Sequence, residues 1–222
     1  MPEIDVKQKV LAANQAAASA LRESFRDQRT LVVNLISSPG SGKTTLLEAT
    51  VARLSGKLKM GGLDGDIATE RDADRLRKAG IPARQILTGG ACHLDARQVD
   101  AALAEEGENL RGLDVLFIEN VGNLICPTSY DLGEDFKIVL LSTSEGDDKP
   151  FKYPAIFSKA KVTVLTKVDL LPYVDFDVAA VKNQVATLNP GARFLEVSAR
   201  KGDGMEEWCA LLESELAKKR TS

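Results

Sequence analysis

Leu31-Val32-Val33-Asn34-Leu35-Ile36-Ser37-Ser38-Pro39-Gly40-Ser41-Gly42-Lys43-Thr44-Thr45 joins an apolar, strand-like run to a Gly-rich turn and then to a helix-like stretch reaching Leu54. This is close to a phosphate loop, with Ser37 where the first glycine of that pattern usually stands. Gly40 and Gly42 let backbone N–H groups turn inward around Ser41 toward phosphate oxygens, and the helix N-terminus adds positive potential. Lys43 reaches the β/γ-phosphates as a point charge. Thr44 offers its hydroxyl to Mg²⁺, and Thr45 stands beside it as a further nucleotide contact.

Outward from this turn, strand-like and helix-like runs alternate. Lys57 to Asp66 reads as a second strand, and a charged helix follows from about Thr69 to Lys78, closed by Gly80 and Pro82. Further strands are expected at Ala83 to Leu87, Asp114 to Ile118, Phe136 to Leu141, Lys161 to Leu165 and Arg193 to Val197. Helices are expected at Asp95 to Glu106, Val178 to Leu188 and Met205 to Lys219. Several strands are apolar nearly throughout, as when helices cover both faces of a sheet. The pattern predicts an α/β fold with a doubly wound, mostly parallel sheet. Val6, Val10, Leu11, Leu21 and Phe25 lie among alanines and charges before the first strand. They predict an amphipathic helix packed outside the main domain. Residues 1–222 are therefore expected to form a single domain, with 1–29 as a helical extension. Cys126 to Glu134 and Glu145 to Tyr153 read as loops.

The chain has 222 residues, 44% hydrophobic and 27% charged, which is an ordinary globular composition. Its 29 basic and 32 acidic side chains give a net charge of −3, so no basic excess points to nucleic acid or an anionic membrane. No apolar run approaches the length that spans a bilayer, and the first residues lack the basic start and apolar core of a secretory signal. Three cysteines form an odd, sparse set that suits a reducing, cytoplasmic setting better than a disulfide framework. His93 is the only histidine, which excludes a His-rich metal store.

Three segments narrow the chemistry. Leu116-Phe117-Ile118-Glu119-Asn120-Val121-Gly122 is a buried-type strand ending in an acid and a glycine. Glu119 there can hold Mg²⁺ and Gly122 can offer its N–H to a γ-phosphate, although an Asp is usual at the acid position. Thr166-Lys167-Val168-Asp169 follows another strand. The Asp169 carboxylate can accept from guanine N1–H and N2–H together, which adenine cannot supply, while the Lys167 stem lies along the purine. Ser198-Ala199-Arg200 resembles the weak last segment of GTPases, whose backbone meets guanine. Together these predict a GTPase that binds GTP and GDP. The stretch from Asp64 through Asp66 and Thr69 to Asp72 is placed as a switch region, with Asp66 as the Mg²⁺-holding or water-orienting acid. No Gln follows Gly122, so the Ras-like way of orienting water is missing and slow intrinsic turnover is expected.

Cys92-His93 follows the third strand and Cys126-Pro127 the fourth. Both lie at strand carboxyl ends, the face where the nucleotide binds. Two thiolates and an imidazole suit Zn²⁺ or Ni²⁺, and three ligands leave a position for water or a second subunit. Cys209, among Trp208, Leu211 and Leu212, reads as a helix residue of the core.

The chain resembles the nickel-insertion GTPases of [NiFe]-hydrogenase maturation, the HypB family. The resemblance covers nearly all of it and rests on Ser37 to Thr45, Cys92-His93-Leu94, Glu119 to Leu124, Cys126-Pro127 and Thr166 to Asp169. The related urease-maturation GTPases carry Cys-Pro-His in one segment, which this sequence lacks. The resemblance implies a P-loop fold of the SIMIBI class, GTP-dependent homodimerisation, and Ni²⁺ or Zn²⁺ held by Cys92, His93 and Cys126 at the dimer interface. It also implies a HypA-family zinc protein and a hydrogenase large-subunit precursor as partners. Met1 to Thr30 contains neither Cys nor His, so nickel storage there is not expected. Lys149 or Lys152 is a candidate to reach across the dimer to a phosphate. The alternative reading is a metallochaperone GTPase for urease or a cobalamin enzyme.

Overall fold

The computed structural model describes residues 2–66 and 70–221. In chain order it runs α1 (Pro2–Asp27), β1 (Leu31–Ser37), α2 (Lys43–Leu54), β2 (Met60–Asp66), α3 (Arg71–Ala79), β3 (Ala83–Leu87), α4 (Ala96–Glu106) and β4 (Val115–Glu119). It continues with β5 (Phe136–Ser142), α5 (Lys149–Lys152), α6 (Pro154–Lys159), β6 (Val162–Thr166), α7 (Val178–Leu188), β7 (Arg193–Val197) and α8 (Met205–Thr221). The strands form one sheet in the order β3-β2-β4-β1-β5-β6-β7, with every neighbour pair parallel.

The sheet is buried on both faces. Along β1, Leu31, Val33 and Leu35 enter one core with α2, α3 and α8, while Val32 and Ile36 enter two clusters on the other face with α1 and α4 and with α6 and α7. Successive side chains point to opposite faces, so an all-apolar strand needs helices on both. Phe117 and Trp208 are fully buried. Each such side chain contributes about 1.5–3 kcal/mol by leaving water. Trp208 Nε1 donates to Thr50 Oγ1 at 2.8 Å, which satisfies its one polar atom. Cys209 is buried in that same core, as expected.

Two details depart from expectation. The loop expected over Glu145 to Tyr153 contains the short helix α5, and α6 follows it directly. Pro150 and Pro154 each stand in the first turn of their helix, where the missing N–H costs nothing and φ is already helical. The α6 residues Ile156 and Phe157 are fully buried. The expected apolar stripe of α1 also shifts along the helix. Val10 is exposed and the side chain of Val6 lies outside the described residues, whereas Ala18, Leu21 and Phe25 are buried against α4 and the sheet. That half of α1 is therefore part of a core cluster rather than a helix lying outside it.

The strand order reverses at β1, whose neighbours are β4 and β5. A crevice opens there beyond the strand carboxyl ends, which is where ligands bind in open α/β sheets.

Candidate functional site

A cleft of about 470 Å³ occupies that crevice, with Gly40 to Leu46 along its floor and Thr166, Lys167, Asp169, Ser198 and Ala199 on its wall. The floor is the turn between β1 and α2. Gly40 (φ 76°) and Gly42 (φ 94°) adopt left-handed backbone, and Gly42 caps α2. Only glycine takes that conformation freely, and it aims consecutive N–H groups into the concavity. Lys43 Nζ donates to Ser37 Oγ at 2.9 Å, which folds the ammonium back over the loop.

Each sequence-predicted companion lies beside this loop. An added Cβ on Gly122 would lie 2.8 Å from Pro39 Cγ, so the segment after β4 presses directly on the phosphate loop. Thr166 Oγ1 donates to the Ser41 carbonyl at 2.6 Å, and Lys167 Nζ donates to the Gly40 carbonyl at 2.8 Å. Ser198 Oγ donates to Asp169 Oδ1 at 2.6 Å, which orients the carboxylate expected to select guanine. One residue of the cleft is not expected from the sequence. Arg75 of α3 lines the cleft and donates to Thr45 Oγ1 at 2.9 Å and to Glu48 Oε2 at 2.6 Å. Nothing in its charged helix distinguishes it from its exposed neighbours.

The acids expected beside the loop stand at the ends of β4 and β2. Glu119 is buried at the end of β4, and Thr44 Oγ1 donates to its Oε1 at 3.1 Å. Burial pushes its carboxyl up to about 8, against the pull of the Lys43 charge. Directly opposite it in the β2–β4 register stands Asp64, also buried, the first residue of the stretch expected to be a switch region. Burial first, then the charges of Asp72 and Asp66, push Asp64 up to about 7. Its Oδ2 has no hydrogen-bond partner, and the Gln85 amide faces it outside hydrogen-bond geometry. Two buried carboxylates beside a hydroxyl, one oxygen of them unpaired, form an oxygen-donor set suited to a hard divalent cation. Asp66, two residues along the strand, is half-buried on the same face. Thr69 lies outside the described residues.

Cys92 and His93 sit in the loop between β3 and α4, and Cys126 opens a 3₁₀ turn reaching Ser129. Their ligand atoms all lie within 4.8 Å of one another, the one such His/Cys/acid group among the described residues. Cys92 Sγ is 3.6 Å from His93 Nδ1. All three residues are half-buried. Burial holds His93 below the usual imidazole range, which favours the neutral, ligating form. A hydrogen bond shared with Cys126, and then burial, raise the Cys92 thiol. The His93 ring stacks on Tyr130 with centroids 3.8 Å apart.

Two amides tie this cluster to the nucleotide side. Asn123 Oδ1 accepts from the N–H groups of Ile125 (2.7 Å) and Cys126 (3.3 Å), fixing the connection that runs from Gly122. Buried Asn120 accepts from Leu94 N–H at 3.2 Å and donates to Asn34 Oδ1 at 3.3 Å. It therefore links β1, the end of β4 and the residue after His93. Lys149 and Lys152, the candidates for a cross-dimer contact, both pair with Asp148.

The family model for the CobW/HypB/UreG nucleotide-binding domain matches residues 31–196. The hydrogenase maturation factor HypB of Azotobacter chroococcum mcd 1 is 47% identical over 212 residues, 95% of this chain and 68% of that protein. The hydrogenase/urease maturation factor HypB of Helicobacter pylori strain J99 is 42% identical over 221 residues, 98% of this chain and 89% of that protein. A crystal structure of HypB from Helicobacter pylori in complex with nickel superposes with a TM-score of 0.87 at 41% identity, covering 93% of this chain and 96% of that one. The signal recognition particle 54 kDa protein of Aeropyrum pernix K1, in complex with GDP, matches at a TM-score of 0.58 and 15% identity over 86% of this chain and 48% of that one. That likeness concerns the fold alone, an α/β fold around a parallel sheet.

Proposed function

The chain belongs to the CobW/HypB/UreG family, within its HypB hydrogenase maturation factors, and from that premise we propose that it hydrolyses GTP and carries nickel for a [NiFe]-hydrogenase large-subunit precursor. The observation that carries this reading is the connection Glu119 to Cys126. Within eight residues it joins an acid on the Thr44 hydroxyl, a glycine against the phosphate loop and a thiol of the Cys92–His93–Cys126 cluster.

In this reading Gly40, Ser41, Gly42, Lys43, Thr44 and Thr45 hold the phosphates, with Lys43 neutralising charge that develops on the transferring group. Gly122 donates its N–H to the γ-phosphate. Thr166, Lys167, Asp169, Ser198 and Ala199 hold guanine, with Asp169 as the base reader. Thr44, Glu119 and Asp64 or Asp66 hold Mg²⁺, which would supply neutralisation of phosphate charge. Asp66 also orients water in this reading. No Gln follows Gly122, so turnover in the isolated chain is slow. Nickel, or zinc in its place, is cargo on Cys92, His93 and Cys126. A second copy, brought up by GTP, completes the coordination, and exposed Ile125 beside Cys126 suits such an approach. Residues 1–222 act as one nucleotide-binding unit with 1–29 as a helical extension. A HypA-family protein exchanges the metal in the cytoplasm. No helix among the described residues is long and apolar enough to cross a membrane.

A second reading has one specific support. The Helicobacter relative at 42% identity is a hydrogenase/urease maturation factor, so urease is a second candidate client. The test of the main reading is phosphate release together with native mass. The full chain with Mg²⁺ should release phosphate from GTP and double its mass with a non-hydrolysable GTP analogue but not with GDP. A monomer in both states that releases no phosphate would contradict it.

A further inference from the structure

The two segments that carry the cluster are 34 positions apart in sequence, counting from Cys92 to Cys126, and each is a half-exposed loop. Something must hold them in register, because a ligand set displaced by about an ångström loses much of its affinity. The residue placed to do so lies on α1, well outside the nucleotide cleft.

Asn14 is buried, with 3% of its surface exposed. Its Oδ1 accepts from Ala96 N–H at 2.8 Å, and its Nδ2 donates to the Asp131 carbonyl at 2.9 Å. Ala96 is the first residue of α4, three positions after His93. Asp131 follows Tyr130, on which the His93 ring stacks. One amide thus uses both of its ends to join the Cys92–His93 loop to the Cys126 loop. An N–H in the first turn of a helix has no partner within the helix, so Ala96 needs an acceptor from elsewhere. Asn suits both roles because its amide carries an acceptor and a donor on one short planar group.

The same stretch of α1 fastens Asp131 further. Arg22 Nη2 donates to Asp131 Oδ1 at 2.6 Å and Gln15 Nε2 to Oδ2 at 3.3 Å. Gly133 lies so close to α1 that an added Cβ would stand 2.8 Å from Leu21 Cβ and 2.9 Å from the Ala18 carbonyl. The second loop is therefore bolted to α1, and through Asn14 to the first.

We propose that Asn14 is a positioning residue for the Cys92–His93–Cys126 metal cluster, setting the distance between its two loops without touching the metal. The proposal rests on the nickel reading of that cluster. Outer partners of metal ligands typically change affinity ten- to a hundredfold when removed.

The test is Ni²⁺ titration of the full, GDP-loaded chain against a competing chelator. Sulfur-to-nickel absorption and GDP affinity are read on the same samples, with Cys92→Ala as the control for the site. Asn14→Ala should weaken Ni²⁺ by about tenfold and shift the absorption, while GDP affinity stays within about twofold. Arg22→Ala removes only a surface pin on Asp131 and so leaves the core intact. It should produce the same changes at about two- to threefold, below the outer-partner range because Arg22 acts only through Asp131, and it serves if Asn14→Ala does not fold. Folded variants that match the parent in Ni²⁺ affinity and absorption would overturn the positioning role alone. So would a loss shared in proportion by GDP. A parent chain whose Ni²⁺ binding is absent, or survives Cys92→Ala, would overturn the site itself.

Discussion

The nucleotide cleft and the thiol–imidazole cluster lie at the same end of one sheet, yet they are built by opposite means. The cleft is shaped mainly by backbone: two left-handed glycines, a helix N-terminus and carbonyls gripped by Thr166 and Lys167. The cluster is shaped by side chains that are themselves held by side chains. Cys126 depends on Asn123, His93 on Tyr130, and both loops on Asn14. A site made of backbone loses function in large steps when its few reacting groups go. A site made of layered side chains can be weakened by degrees from a distance.

That contrast can be broken or sharpened experimentally. The largest effect belongs to Lys43→Ala. It removes the charge proposed to face the β/γ-phosphates and should lower GTP hydrolysis by at least about 100-fold, while Ni²⁺ binding by the nucleotide-free chain stays at the parent value. Equal turnover would remove Lys43 from the phosphate site. Next, Cys92→Ala should weaken Ni²⁺ by roughly 100-fold with GDP affinity within about twofold, read by chelator competition and calorimetry. Asp169→Asn should weaken GTP by about 10- to 100-fold, the cost of leaving a buried polar partner unmade. It should also gain xanthosine triphosphate, whose pattern of donors and acceptors it matches. An unchanged preference between the two nucleotides would count against the guanine assignment. The smallest effect is on stability. Asp64 buries a carboxylate with one oxygen unpaired, so Asp64→Asn should stabilise the nucleotide-free chain by about 1 kcal/mol at pH 8, measured by denaturant unfolding. Hydrolysis with Mg²⁺ should fall in the same variant. A destabilised variant would show that the acid is compensated in the empty protein.

The same contrast explains what was legible in the sequence. The phosphate loop, the guanine segment and the alternating elements are runs of contiguous residues, and chemistry carried by local runs can be found one segment at a time. Cys92, His93 and Cys126 were placed on one face by the topology of parallel strands, and the structure brings their ligand atoms together. The sequence shows Asp64 only as the start of the expected switch stretch, not as a buried carboxylate, because it lies within Met60-Gly61-Gly62-Leu63-Asp64-Gly65-Asp66, where glycines obscure the strand pattern. Those glycines have a packing cause. A Cβ on Gly65 would stand 2.7 Å from Leu94 Cγ, and one on Gly61 2.5 Å from Leu113 Cδ1. The helix α6 was hidden by its six-residue length, too short to show a period. Asn14 gave no signal at all, since one amide in an Ala-rich helix acquires meaning only from what it meets 82 and 117 positions away.

The central claim is that triphosphate and nickel bias one shared connection, Glu119 to Cys126, with Asn120 as a second tie to Leu94. The most direct measurement is Ni²⁺ affinity of the full chain with Mg²⁺ and either GDP or a non-hydrolysable GTP analogue. The account predicts that the two affinities differ by at least about fivefold, the lower range of coupling between linked sites. Identical affinities in the two nucleotide states would contradict it.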